Sequence, residues 1–172
     1  YRTTEELPDF RDYSMEGRTY RYMKQEALYP FGYGLSYSRF EYGELSLSKS
    51  TIGVGEEIQC SVTVKNIGAF EADEIVQLYL QDVEASTVIP KWQLAGVRRV
   101  HLLPGETAEV EFTVTPGQMA VIDQEGKCIL EPGKFNIYVS GNQPDRRSIQ
   151  LTGNNVSKGS FELIGCRMEI EY

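Results

Sequence analysis

Cysteine is scarce in this sequence, and the few cysteines present are not spaced as pairs. The 172 residues include Cys60, Cys128 and Cys166, an odd number with no Cys-x-x-Cys motif. Neither a disulfide framework nor a zinc site is indicated, and we interpret all three as small apolar core residues. The lack of a disulfide pattern favours a cytoplasmic over a secreted location.

Histidine is almost absent, which limits the chemistry that the chain can perform. His101, the only one, lies beside two arginines just before a turn, with no second histidine for a metal and no serine or cysteine in a nucleophile motif. We interpret it as a surface or strand-edge histidine. No phosphate-binding glycine loop and no EF-hand calcium loop is present, so we expect no metal and no cofactor.

Long apolar runs and excess positive charge are also missing. No stretch reaches the ~18 apolar residues of a membrane-spanning helix. The 17 Lys and Arg residues stand against 25 Asp and Glu, a net charge of −8. This is the wrong sign for binding nucleic acid phosphates or anionic lipid, so we expect neither partner. Because the chain begins at Tyr1, without Met or a leader, we expect it to be part of a longer protein whose targeting signal lies upstream.

Aromatic residues are abundant, and they concentrate at the N-terminal end. Of the 19 aromatics, ten lie within residues 1–40, where they follow neither helical nor strand periodicity. Long irregular segments rich in tyrosine usually lie against a surface. We therefore expect residues 1–37, termed the lead-in below, to be a linker that packs on neighbouring domains.

After the lead-in the pattern becomes apolar–polar alternation, which is typical of half-buried strands. Short alternating runs separated by Gly, Pro and Asn turns predict an all-β, antiparallel, immunoglobulin-like sandwich over residues 38–172. Within this sandwich, residues 155–172 are predicted to form an extra hairpin or edge strand. Ile149 and Leu151 are predicted to belong to a strand. The best candidate for a helix is residues 117–122. The predicted interior residues are Val62, Val64, Leu78, Val110, Phe112 and Ile137.

An antibody-type domain is a related alternative, but it would need two cysteines on facing strands. Cys60 lies on a plausible second strand, whereas the late strand has Ile137 and Val139 instead. The pattern therefore favours a disulfide-free sandwich of the fibronectin type III kind.

Paired carboxylates are the residues that glycoside hydrolysis would need. The near neighbours are Asp9 with Asp12, Asp73 with Glu74, and Asp82 with Glu84. With 25 acidic residues in the chain such pairs are expected by chance, and we interpret them as solvated surface. We therefore assign no catalytic residue.

Two groups of side chains have binding chemistry. Arg18 and Arg21 alternate with Tyr20 and Tyr22, and guanidinium groups among phenol rings suit either sugar hydroxyls or a carboxylate on a neighbouring domain. We favour an interface role for these four residues. Trp92 lies in a loop-like stretch, where it either packs against the protein or, with Tyr79, stacks on a sugar ring.

These stretches, taken in order, resemble the C-terminal region of glycoside hydrolase family three, whose members are mostly β-glucosidases and β-xylosidases. The resemblance covers roughly residues 9–141 and rests on MEGRTYRY at 15–22, YPFGYGLSYSRFEY at 29–42, DEIVQLYL at 73–80, LAGVRRV at 94–100, LPGE at 103–106 and EPGKF at 131–135.

The resemblance implies that this chain is the family's fibronectin type III-like domain with the linker that enters it. The nucleophilic Asp of the family lies in a barrel domain and the acid/base Glu in or near an α/β domain, and neither motif is matched here. We therefore expect an accessory structural domain, inactive alone, whose partners are the catalytic domains of a parent glycosidase on the same or a separate chain. The alternative is a carbohydrate-binding module that presents oligosaccharide to the parent.

Overall fold

Strands make up most of the regular structure in the computed structural model, which describes residues 1–15 and 17–171. In chain order they are β1 (Phe40–Tyr42), β2 (Ser46–Leu47), β3 (Thr51–Gly53), β4 (Ile58–Asn66), β5 (Ala72–Asp82), β6 (Gln93–Leu102), β7 (Thr107–Val114), β8 (Val121–Ile122), β9 (Cys128–Leu130), β10 (Gly133–Ser140), β11 (Ser157–Ile164) and β12 (Met168–Glu169). The helices are short: a 3-10 helix at Thr4–Glu6, α1 (Thr19–Tyr22), α2 (Pro116–Met119) and α3 (Arg146–Thr152).

The first sheet is built around β4, whose residues alternate between the core and solvent. Ile58, Cys60, Val62 and Val64 point inward, and polar residues separate them. The full length of β7 pairs antiparallel with β4. β1 and β2 also pair with β4, at opposite halves of that strand. A period of two places every inward residue on the same face, so this sheet has one apolar side.

The second sheet has the order β3-β11-β10-β5-β6. Its neighbours are antiparallel except β3 and β11, which run parallel over three residue pairs. The interior strand β5 has a continuous buried run at its middle, as expected for a strand covered on both faces.

One apolar core contains side chains from both sheets, which are therefore packed face to face. All six residues predicted to face the interior are buried, which confirms the strand register. The rings of Phe135 and Phe161 stack across two neighbouring strands with centroids 5.3 Å apart. The all-β sandwich expected from the alternation is thus confirmed.

The cysteine interpretation holds for two residues and is wrong for the third. Cys60 and Cys128 are buried, and burial raises the pKa of the Cys60 thiol to about 11. Cys166 is exposed because it follows the end of β11, next to the turn at Gly165.

The run containing Ile149 and Leu151 is helical, contrary to the strand prediction. It forms α3, in which the Asp145 carboxylate caps the N-terminus by accepting a hydrogen bond of 2.6 Å from Ser148 N. Gly153 ends the helix with φ of 70°, a left-handed conformation that glycine adopts without steric cost. These two caps favour a helix, although the two-residue spacing of the apolar side chains is typical of a strand.

Two other local predictions differ from the structure in extent. The helical candidate at 117–122 splits into α2 and β8, with a capping box formed by Thr115 and Gln118 at the helix N-terminus. Residues 155–171, the described part of the predicted C-terminal hairpin or edge strand, do not form one hairpin. They contribute β11 to the second sheet and β12 to a small sheet of order β12-β9-β8. No helix in the described part of the chain is long and apolar enough to cross a membrane.

Candidate functional site

The lead-in contacts its own sandwich through a few backbone hydrogen bonds. Gln143 N donates to the Phe31 carbonyl at 3.0 Å, and Lys91 N donates to the Arg21 carbonyl at 2.8 Å. The Arg147 guanidinium reaches the Leu28 carbonyl at 3.4 Å. These bonds fix the second half of the lead-in beside α3 and the loop before β6.

The four residues predicted to form an interface lie together at α1. The Tyr20 ring stacks on Phe31 with centroids 4.3 Å apart, and the Arg21 guanidinium lies 5.8 Å from the centroid of the Tyr22 ring. Arg18, immediately before the helix, donates hydrogen bonds to the Asp9 and Asp12 carbonyls. Arg18 and Tyr20 therefore brace the lead-in itself, whereas the Arg21 side chain is exposed.

Large apolar and aromatic side chains are exposed along the lead-in. Phe10 is 90% exposed and Tyr37 is 93% exposed. The exposed set comprises Tyr1, Leu7, Phe10, Tyr13, Met15, Leu28, Tyr29, Phe31, Leu35 and Tyr37. Ten large exposed side chains thus lie within the first 37 residues, so exposed apolar side chains concentrate in the lead-in.

A pocket of about 420 Å³ lies where the lead-in meets the sandwich. Tyr20, Tyr29 and Phe31 line it from the lead-in, and Trp92 and Gln143 line it from the sandwich. Sequence reasoning found Trp92 and Tyr20 but did not place them in one pocket, because these two residues are 72 positions apart in the chain.

The two predicted stacking residues do not form a sugar-binding platform. Tyr79 is fully buried in β5 and its hydroxyl donates to Gln77 Oε1 at 2.6 Å, so its ring has no free face. Burial also raises the pKa of Tyr79. Trp92 is only 8% exposed, and the Lys91 ammonium lies 4.3 Å from its ring centroid. The stacking hypothesis for Tyr79 is therefore wrong, and Trp92 forms part of the pocket wall.

The ionisable residues fall into exposed ion pairs and two partly buried carboxyls. His101 is exposed, as predicted, and its Nδ1 lies 2.8 Å from Asp73 Oδ1. The Arg99 guanidinium and His101 hold the pKa of Asp73 below its usual value. Glu74, the next residue of β5, points to the other face of the sheet, so these two carboxyls do not form a catalytic pair.

Glu74 and Asp82 depart from the solvated-surface interpretation. Glu74 accepts a hydrogen bond of 2.6 Å from the Tyr42 hydroxyl, and burial raises its pKa. Burial likewise raises the pKa of Asp82. Asp9 keeps the solvated character predicted for it, with its carboxylate bound to Arg11. Among residues 1–15 and 17–171, no cluster of His, Cys, Asp or Glu has the composition and spacing of a metal site.

Comparison with known proteins shows which families this chain is similar to. Residues 74–143 match the model of the fibronectin type III-like domain. Over 81% of the present chain, the sequence is 38% identical to a putative beta-xylosidase of Formosa agariphila. Over 76% of the present chain, it is 40% identical to beta-glucosidase BoGH3A of Bacteroides ovatus. The chain contains a fibronectin type III-like domain, and its relatives are family three glycoside hydrolases.

Solved structures of this family support the same assignment. A beta-glucosidase of Listeria innocua in complex with glucose superposes with a TM-score of 0.71, at 32% identity, over 88% of this chain. The present chain covers 20% of that structure. It spans 19% and 18% of the two curated relatives, so the matching part is about one fifth of each family three enzyme.

Proposed function

We propose that this chain is the accessory structural domain of a family three glycoside hydrolase, whose parent hydrolyses terminal β-linked glucose or xylose from oligosaccharides. The names of the relatives, beta-glucosidases and beta-xylosidases, support this substrate class. The small share of each relative that the chain covers supports an accessory role beside catalytic domains. The proposed division is a lead-in at 1–37 and a sandwich domain at 38–172.

The observation on which the proposal rests is the exposed aromatic surface of the lead-in. Phe10, Tyr13 and Tyr37 are each almost fully exposed, although nothing in a monomeric domain requires such rings in water. Aromatic residues and arginine are enriched at protein interfaces. We therefore infer that the lead-in packs on the catalytic domains of the parent, with Arg18, Tyr20, Arg21 and Tyr22 at or near that contact.

Hydrogen exchange tests this contact. Residues 10–30 should exchange faster in the isolated chain than in the full-length parent, because only the parent covers the lead-in. β4 and β10 should be equally protected in both proteins. Complete protection of 10–30 in the monomeric isolated chain would show that the segment needs no partner domain, and the interface proposal would have to be dropped.

A pair of variants locates the contact more closely. Tyr37→Ala in the full-length parent should lower its unfolding temperature, since the ring is buried only against another domain. Val88→Ala is the matched control, because Val88 is 87% exposed in the loop between β5 and β6 rather than in the lead-in. Equal effects of the two substitutions would contradict the proposed surface.

A further inference from the structure

We propose that the pocket between the lead-in and the sandwich binds one neutral sugar ring. The pocket has about 420 Å³, which is within the 300–1,000 Å³ range of small-ligand sites. It contains both apolar ring surface and hydrogen-bonding groups. This is a different site from a flat Trp92–Tyr79 platform, which the burial of Tyr79 rules out.

The aromatic lining provides a surface for the apolar face of a sugar. Tyr29 is 63% exposed, with Tyr33 stacked against it at 5.4 Å between centroids. Phe31 is stacked on Tyr20 in the same way and is also exposed. Each ring is thus held in place by a second ring while it lines the pocket. A pyranose has C–H groups on its faces, and these pack well on an aromatic ring.

Hydrogen-bonding groups lie on the sandwich side of the same pocket. Gln143 is only 5% exposed, yet its Oε1 has no hydrogen-bond partner among the described residues. Buried polar atoms of this kind normally have a partner, and a sugar hydroxyl that reached this acceptor after a rotation of the Gln143 side chain would supply one. Asp145 adds a carboxylate, of which Oδ1 accepts from Ser148 N. Sugar hydroxyls donate to acceptors of both types.

The charges around the pocket favour a neutral ligand. The lining includes the carboxylates of Glu26 and Asp145 and the ammonium groups of Lys24 and Lys91, which balance in sign. A net charge of −8 for the whole chain further disfavours anions. The volume suits one ring rather than an extended polysaccharide, which would need a row of exposed rings.

Trp92 provides a direct measurement, because it is the only tryptophan and lies in the pocket wall. The isolated chain should show a saturable change of tryptophan emission with glucose or xylose, with a dissociation constant on the order of 1 mM, as expected for a ligand of this size. Glycerol, a polyol without a ring, should give no saturation over the same range. Titration calorimetry measures the same equilibrium without relying on emission.

Two matched tyrosine variants decide whether binding occurs in this pocket. Tyr29→Ala should raise the dissociation constant at least about fivefold. Tyr13→Ala should leave it unchanged, because Tyr13 is equally a lead-in tyrosine but does not line the pocket. No saturation by either method, or equal dissociation constants for the two variants, would overturn the proposal. Because the titration uses the chain alone, its failure would leave the proposed contact with catalytic domains untouched.

Discussion

Phe112 illustrates how closely the two sheets approach one another at a single side chain. Its ring is buried on β7, opposite Cys60 of β4. A Cβ atom placed on Gly96 of β6 would lie only 2.6 Å from Phe112 Cδ1, so the ring rests directly against the glycine backbone. The Arg98 guanidinium covers the ring at 5.4 Å from its centroid.

Phe112→Ala should therefore be strongly destabilising. The change leaves a cavity between the sheets, and we expect the free energy of unfolding to fall by roughly 3 to 5 kcal/mol. Urea unfolding measures this loss. Glu111→Ala is the control, because Glu111 is the exposed neighbour on the same strand and should change stability little. A loss below about 1 kcal/mol for Phe112→Ala would show that the register is wrong by one residue.

Glu74 should make stability depend on pH. Burial raises its pKa above the ordinary value of 4.5, and the hydrogen bond from Tyr42 only partly opposes this. The folded state therefore binds this proton more tightly than the unfolded state does. The contribution of Glu74 to stability is fully present below about pH 4.5 and is lost as pH rises through the raised pKa.

Glu74→Gln removes this ionisation while an amide oxygen can still accept the hydrogen bond from Tyr42. The stability of the variant relative to the original chain should increase as pH rises above 4.5. Urea unfolding at a series of pH values tests this, with Glu109→Gln on the exposed face of β7 as control. A relative stability that does not change with pH, or the same slope for the control, would contradict the expectation.

Among the elements, α3 depends most clearly on its cap. It has only seven residues, too few to be stable without tertiary support and terminal hydrogen bonds. Asp145→Ala should reduce the free energy of unfolding by about 1 kcal/mol and increase hydrogen exchange within α3. Asp145→Asn should be nearly neutral, since its side chain can still accept from Ser148 N. Equal stability of the two variants would show that the cap contributes nothing.

The strands could be predicted from the sequence because their alternation is local. β4, β7 and β10 each bury one residue in two, and a period of two is visible without knowing the partner strand. The same reasoning is wrong for α3, because Ile149 and Leu151, two positions apart, predict a strand where the structure has a helix. The sequence did contain helix-capping signals, because Asp145 lies three residues before Ser148 and Gly153 follows the run.

The pocket could not be predicted, because its two sides come from distant parts of the chain. Tyr29 is visible as one tyrosine among many, and Gln143 as an ordinary turn residue. Their surroundings are brought together by tertiary hydrogen bonds such as that from Gln143 N to the Phe31 carbonyl. Such a contact leaves no periodic pattern in the sequence.

At the scale of the whole molecule, we expect the isolated chain to have no glycosidase activity. The sequence matches neither catalytic motif of the family. Aryl β-glucoside and aryl β-xyloside are the substrates to assay, with the full-length parent as positive control. Turnover that survives repurification and is lost when a carboxylate of this chain is changed would contradict the expectation.

The position of β11 determines when the sandwich can fold during synthesis. It is the last long strand of the chain, yet it lies between β3 and β10 in the second sheet, and β3 lies more than a hundred residues earlier. A growing chain emerges from the ribosome N-terminus first, so β3 must wait with an unpaired edge until β11 has been translated. Pairing across such a sequence separation is also slow, because a long loop must close first. The domain therefore completes its second sheet only after residue 164 has been released from the ribosomal tunnel.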